Sequence, residues 1–72
     1  MQSARKQFAQ NLRTARQHAG LSQEALAEAC DLHRTEISLL ERCKRSPRLD
    51  TLVILARGLG LASPTELMHD IR

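Results

Sequence analysis

Apolar residues recur along this chain at helical spacing, and no stretch alternates apolar and polar positions as a half-buried strand would. Phe8, Leu12, Ala15 and Ala19 fall at i, i+4, i+7 and i+11, one buried stripe of a helix predicted over residues 3–19. Gly20 ends that helix as a C-terminal glycine, and Leu21 closes over the end. Arg16 lies beside the stripe rather than opposite it, so it either snorkels or finds a partner. Ser22 is an N-cap candidate for a second helix over residues 22–30, with Ala25, Leu26 and Ala29 at helical spacing. A break follows at Cys30, Asp31 and Leu32. The third helix is predicted over residues 33–42, with Ile37 and Leu40 facing inward and Glu41 on the inner flank. Arg34, Thr35, Ser38 and the far side of Leu39 face out. Two helices this short across so tight a turn must cross steeply. Neither is stable in water alone, so the remaining helices must pack against them.

Proline at Ser46-Pro47 closes a loop, because the residue before a proline is held out of helical geometry. Asp50 then suits the first turn of a helix over residues 49–59, whose stripe is Leu52, Leu55, Ala56 and Leu59 before Gly60 stops it. Ser63-Pro64-Thr65-Glu66 is a helix-start signature, with a capping serine, proline at the first position and glutamate at the third. It predicts a fifth helix over residues 63–70, with Leu67, Met68 and Ile71 apolar. The reading is all-α: a five-helix single domain over residues 1–72, with no linker, repeat or low-complexity segment.

Composition narrows this further. At 72 residues the chain is near the lower limit for a core held by apolar burial alone, and with one Phe, no Tyr and no Trp that core is Leu, Ile, Val and Ala. No apolar run approaches a membrane span and no secretory signal opens the chain, so a cytoplasmic protein without a membrane partner is expected. Cys30 and Cys43 do not make a disulfide framework in that compartment, and they are placed poorly for bridging. Cys30 and His33 form half of a zinc pattern with no second pair to complete it, so no metal or cofactor is expected. Charge is segregated. Residues 1–20 carry Arg5, Lys6, Arg13 and Arg16 and no acid; residues 42–48 carry Arg42, Lys44, Arg45 and Arg48. Between them Glu24, Glu28, Asp31, Glu36 and Glu41 face Arg34 alone. The two basic segments would bind a polyanion if the fold brought them to one face; a solvated charge run is the alternative.

The order FxxNLRxxRxxxGLSQxxLAxxxxLxRTxISLLERxKRxPxLDTLxxLAxxLG closely resembles the Cro/phage-repressor-like (XRE-type) helix-turn-helix family of DNA-binding domains, over residues 8–68. The resemblance implies a compact lambda-repressor-like fold with the helix-turn-helix at the second and third helices. It implies that the third helix, residues 33–41, lies in the DNA major groove with its first residues on base edges. Arg34 then occupies the leading base-reading position, where its fork matches guanine O6 and N7; a phosphate contact or a solvated charge is the alternative. Thr35, Ser38 and Leu39 follow as base-reading candidates. Gln23 matches a phosphate-contacting glutamine, and Arg42, Lys44, Arg45 and Arg48 match the backbone-binding loop, which sets affinity without reading sequence; His33 is a further phosphate candidate or a weak cap. Arg16 and Glu41 match a buried or half-buried salt bridge that ties the first helix to the third. Some positions depart from the family pattern. Asp31 and Cys43 stand where glycine is usual; Asp tolerates left-handed geometry, whereas Cys43 implies strain if the conformation is kept. His33 replaces the commoner Ser or Thr cap. Leu39 stands where a long polar reader is common; it could meet a thymine methyl or simply be exposed. Glu36 suits reciprocal capping of the third helix, or could accept from cytosine N4.

The function this implies is a sequence-specific double-stranded DNA-binding transcription regulator of the small repressor or restriction–modification controller kind, toward which the HRTxIS run leans. With the chain ending after the fifth helix, no ligand-sensing domain is expected. One domain covers one half-site, so a homodimer on a pseudo-palindromic operator is expected, with Leu67, Met68 and Ile71 as its interface. The alternative is an antitoxin or other interaction module of the same fold that binds a protein partner through the fifth helix. An enzyme is not expected: no nucleophile–base spacing, glycine-rich phosphate loop or metal-ligand set is present.

Overall fold

The computed structural model describes residues 3–71, in which four α-helices and one 3₁₀ turn follow in chain order. They are α1 (Ser3–His18), α2 (Gln23–Cys30), α3 (Arg34–Glu41), α4 (Leu49–Gly58) and the 3₁₀ turn Pro64–Leu67. All four α-helices end in one way. The residues that close them, Gly20, Asp31, Cys43 and Gly60, have φ of 73°, 57°, 62° and 73°. The next amide then reaches back five residues: Leu21 to Arg16 O, Leu32 to Ala27 O, Lys44 to Leu39 O and Leu61 to Ala56 O, at 2.8–3.1 Å. This is the Schellman closure, whose usual companion is an apolar residue folded back on the helix end. Leu21, Leu32 and Leu61 supply that contact and pack on the core. After α3 the residue is Lys44, which is exposed. That helix end therefore turns its loop to solvent. Asp31 and Cys43 keep the left-handed geometry without glycine, at about 1–2 kcal/mol each for a Cβ in that region.

Leu12, Leu26, Ile37, Leu40, Leu55 and Leu67 are the largest fully buried side chains, so every element contributes to one core. Each is worth about 1.5–3 kcal/mol in burial. On α2 the inward face is Leu26, Ala27 and Cys30; Ala29, expected on that stripe, is exposed, as is Ala19 beyond the end of α1. Crossing of α2 and α4 depends on Gly58. A Cβ there would fall well inside contact distance of Cys30 Sγ, so the helices approach as closely as they do because position 58 has no side chain.

The expected fifth helix is a single 3₁₀ turn. Its start forms as the sequence suggests: Ser63 Oγ accepts from Thr65 N at 3.2 Å and Glu66 Oε2 from Ala62 N at 2.8 Å. Beyond Leu67 the backbone leaves helical geometry, with Met68 at φ −109° and Asp70 at φ 63°, and its carbonyls turn toward α1. Asn11, buried on α1, donates through Nδ2 to Leu67 O at 3.0 Å and His69 O at 2.9 Å. Asn11 is satisfied in turn by Gln7 Nε2, which donates to its Oδ1 at 2.9 Å. Among the described residues no helix is long and apolar enough to cross a membrane.

Candidate nucleic-acid interface

The surface helix α3 begins after His33, which enters with extended backbone (φ −79°, ψ 143°) and no side-chain cap bond. The reciprocal cap expected between His33 and Glu36 does not form. His33 O accepts the Glu36 amide at 2.9 Å, while the Glu36 side chain lies along a groove of about 700 Å³ with Arg45, Arg48 and Asp50. Arg34 and Thr35 are exposed, and Ser38 and Leu39 are half-buried. The inner side of α3 is Ile37, Leu40 and Glu41. Arg34 and Thr35 thus stand outward on a helix whose other side is fixed in the core.

Glu41 fixes it most specifically. Its side chain is 1% exposed and that of Arg16 14%. Arg16 Nε donates to Glu41 Oε2 at 2.6 Å and Nη2 to Oε1 at 3.0 Å, the two-point geometry that makes guanidinium–carboxylate pairs strong. The carboxylate holds the Arg16 pKa above its ordinary value, chiefly through these hydrogen bonds. The third edge of the guanidinium, Nη1, donates to Leu21 O at 2.8 Å and holds the turn into α2. Gln23 Nε2 donates to Glu41 Oε1 at 3.1 Å, so one amide N–H of this residue is turned inward. Arg13 Nη2 donates to the Glu41 carbonyl at 2.9 Å and closes the C-terminal end of α3. One buried carboxyl residue thereby joins α1, α2 and α3. The Arg16–Glu41 pair is legible in the residue pattern; the parts of Arg13 and Gln23 in it are not, since neither spacing nor composition marks them.

Arg42, Lys44, Arg45 and Arg48 are exposed on the loop between α3 and α4. The loop is tied to α1 by Arg5 Nε, which donates to Ser46 Oγ at 3.2 Å. The two basic segments of the chain therefore meet, with Lys6 and Arg13 of α1 facing Arg42 and Lys44 across one groove.

The expected interface residues separate. Leu67 is 0% exposed and is a core residue, so it has no surface to give a partner; the 3₁₀ turn directs it inward between α1 and α4. Met68 is exposed and Ile71 half-buried. They line an apolar groove of about 300 Å³ with Pro47, Leu49 and Leu52. Leu49, 81% exposed, escaped the sequence reading because its spacing to Leu52 and Leu59 is that of a core position. Cys30 is buried, with Sγ 3.6 Å from Ile54 O, and burial pushes its thiol pKa up. Among the described residues no His, Cys, Asp and Glu gather as a metal site.

The helix-turn-helix family model matches residues 12–67. The chain is 48% identical over 57 residues to the control protein C.SmaI of Serratia marcescens, covering 79% of this chain and 68% of that one. It is 42% identical over 62 residues to the control protein C.BamHI of Bacillus amyloliquefaciens, covering 85% and 75%. The crystal structure of the restriction-modification controller protein C.AhdI of Aeromonas hydrophila superposes with a TM-score of 0.85 at 37% identity, covering 90% of this chain and 97% of that chain. With the motif geometry in place and the match running through all four helices, the chain belongs to the helix-turn-helix family, of the XRE type that its residue pattern resembles.

Proposed function

We propose that the protein is a sequence-specific double-stranded DNA-binding transcription regulator of the restriction–modification controller kind, cytoplasmic and without catalytic activity. The observation that carries this is the outward set of Arg34 and Thr35 on a helix locked from behind through Glu41, beside a loop of exposed cations. In this reading α3 enters the major groove. Arg34 pairs with guanine, worth about 1–3 kcal/mol of discrimination, and Thr35, Ser38 and Leu39 read adjoining base edges. Gln23, His33, Arg42, Lys44, Arg45 and Arg48 hold phosphates and set register. Gln23 keeps its second N–H for that role. The names of the relatives support the controller assignment.

The longest extent of the domain, 31 Å, is close to one turn of duplex, so one copy suits one half-site. Tight binding then calls for a homodimer on a pseudo-palindrome. Its interface is the apolar strip of exposed Leu49 and Met68 with half-buried Ile71, in place of one centred on Leu67. An interaction module working through a fifth helix loses its support, since that segment is one turn with its leucine inward.

Selection from a random duplex pool tests the function: a pseudo-palindrome with half-sites about one turn apart is expected. Arg34→Ala should then lose preference at one base pair per half-site. Equal weakening on all sequences would make Arg34 a phosphate ligand, and recovery of no consensus would refute sequence-specific binding.

A further inference from the structure

The groove between α1 and the loop after α3, of about 590 Å³, has no part in base reading. Lys6 and Arg13 wall one side and Arg42 and Lys44 the other. Its single carboxylate, Glu41, turns its oxygens into Arg16 and Gln23 and is 1% exposed, so the charge the groove shows to solvent is all cationic. Arg13 is already held in place by the Glu41 carbonyl yet remains 52% exposed, which leaves donors free on a guanidinium that needs little further ordering.

We propose that this groove is a second phosphate cleft, in which Lys6 and Arg13 hold the backbone of the same duplex that α3 enters; this rests on the DNA-binding reading above. Three features favour that occupant. Lys6 and Arg13 are about 10 Å apart along α1, so each can meet a separate phosphate of one strand. The facing wall is the loop that continues α3 directly, so a strand leaving the major groove at the end of α3 passes along it. An acidic peptide would need an apolar anchor, and Ala9 and Cys43 are the apolar residues lining the groove. The DNA footprint thus extends past the helix-turn-helix onto α1.

The test titrates Lys6→Gln, Arg13→Gln, the double variant and Arg13→Lys against a duplex that the wild-type protein selects from a random pool, between 50 and 200 mM salt. Helicity by circular dichroism accompanies each variant. Each glutamine substitution removes one phosphate contact per copy, so on a duplex holding two copies the slope of log K against log salt is expected to flatten by about 1.8. Across that salt range the double variant should then lose about a hundredfold less affinity than the wild type. Arg13→Lys keeps the charge and should keep the wild-type slope. An affinity loss at unchanged slope would confine Arg13 to holding the end of α3, and an unchanged slope in either single glutamine variant overturns the cleft while DNA binding stands. A wild-type protein that retains no duplex from the pool overturns both readings together.

Discussion

Replacing Arg16 by alanine removes three donors at once: two from the Glu41 carboxylate and one from the Leu21 carbonyl. The carboxylate stays where it is, 1% exposed, with Gln23 Nε2 at 3.1 Å and Arg13 Nε at 3.7 Å as its remaining partners. Breaking a buried pair by removing one member costs about 3–5 kcal/mol, because the other charge is left unpaired. Arg13 Nε, already within 3.7 Å, can close on the carboxylate, which puts the loss near the lower bound, about 3 kcal/mol. A domain of this size holds about 4–11 kcal/mol in all, and each kcal/mol moves its melting point by about 4–8 °C. The expected result is a fall of about 12–24 °C, read by circular dichroism, with a matching drop in urea midpoint. Arg16→Met with Glu41→Leu should recover most of it, since a buried pair exchanged for apolar residues of similar volume is often neutral. A loss below about 1 kcal/mol for Arg16→Ala would refute the reasoning, for the pair would then behave as an exposed one.

The other predictions concern α2, α4 and the apolar strip. Gly58→Ala should destabilise by about 1–3 kcal/mol through overpacking against Cys30 Sγ. In a Cys30→Ala background the next atoms lie at 3.7 and 3.8 Å, so there the same change should stabilise by about 1 kcal/mol of helix propensity; equal loss in both backgrounds would refute the contact. Burial raises the Cys30 thiol pKa, so the unfolded chain gives up that proton first. The stabilisation is full below the ordinary thiol range, about pH 8.5, and is lost as pH rises through it toward the folded value. Urea midpoints at pH 7 and pH 10 should therefore fall further for the wild type than for Cys30→Ala. Leu49→Asp should leave helicity by circular dichroism unchanged and give monomers in sedimentation where the wild type gives the proposed dimer, because Leu49 is 81% exposed within one copy; a persisting dimer would move the interface elsewhere.

The start of each helix was legible in the chain because its signals are local. Ser22, Asp50 and Ser63-Pro64 act on backbone groups within a turn of themselves, and an N-cap needs no distant partner. The resemblance brought out the Arg16–Glu41 pair and the outward residues of α3 for a related reason: they recur at set offsets along the chain. Where the last element ends is a different matter. The Ser63 signature promises a helix, whereas the chain after Leu67 is held against α1 by Asn11 Nδ2, from a residue 56 positions earlier.

Local pattern therefore determined the four α-helices, their order, most of their buried stripes and the family. Tertiary contact decided which apolar residues are core and which are surface: Leu67 went inward and Leu49 outward, though both sit at stripe spacing. It also decided that Lys6 and Arg13 meet Arg42 and Lys44, and that position 58 has no room for a side chain beside Cys30 Sγ. The physical reason is range. Caps and periodicity act over one or two turns of backbone, whereas burial, charge meeting charge and close helix approach depend on residues that only the folded chain brings together.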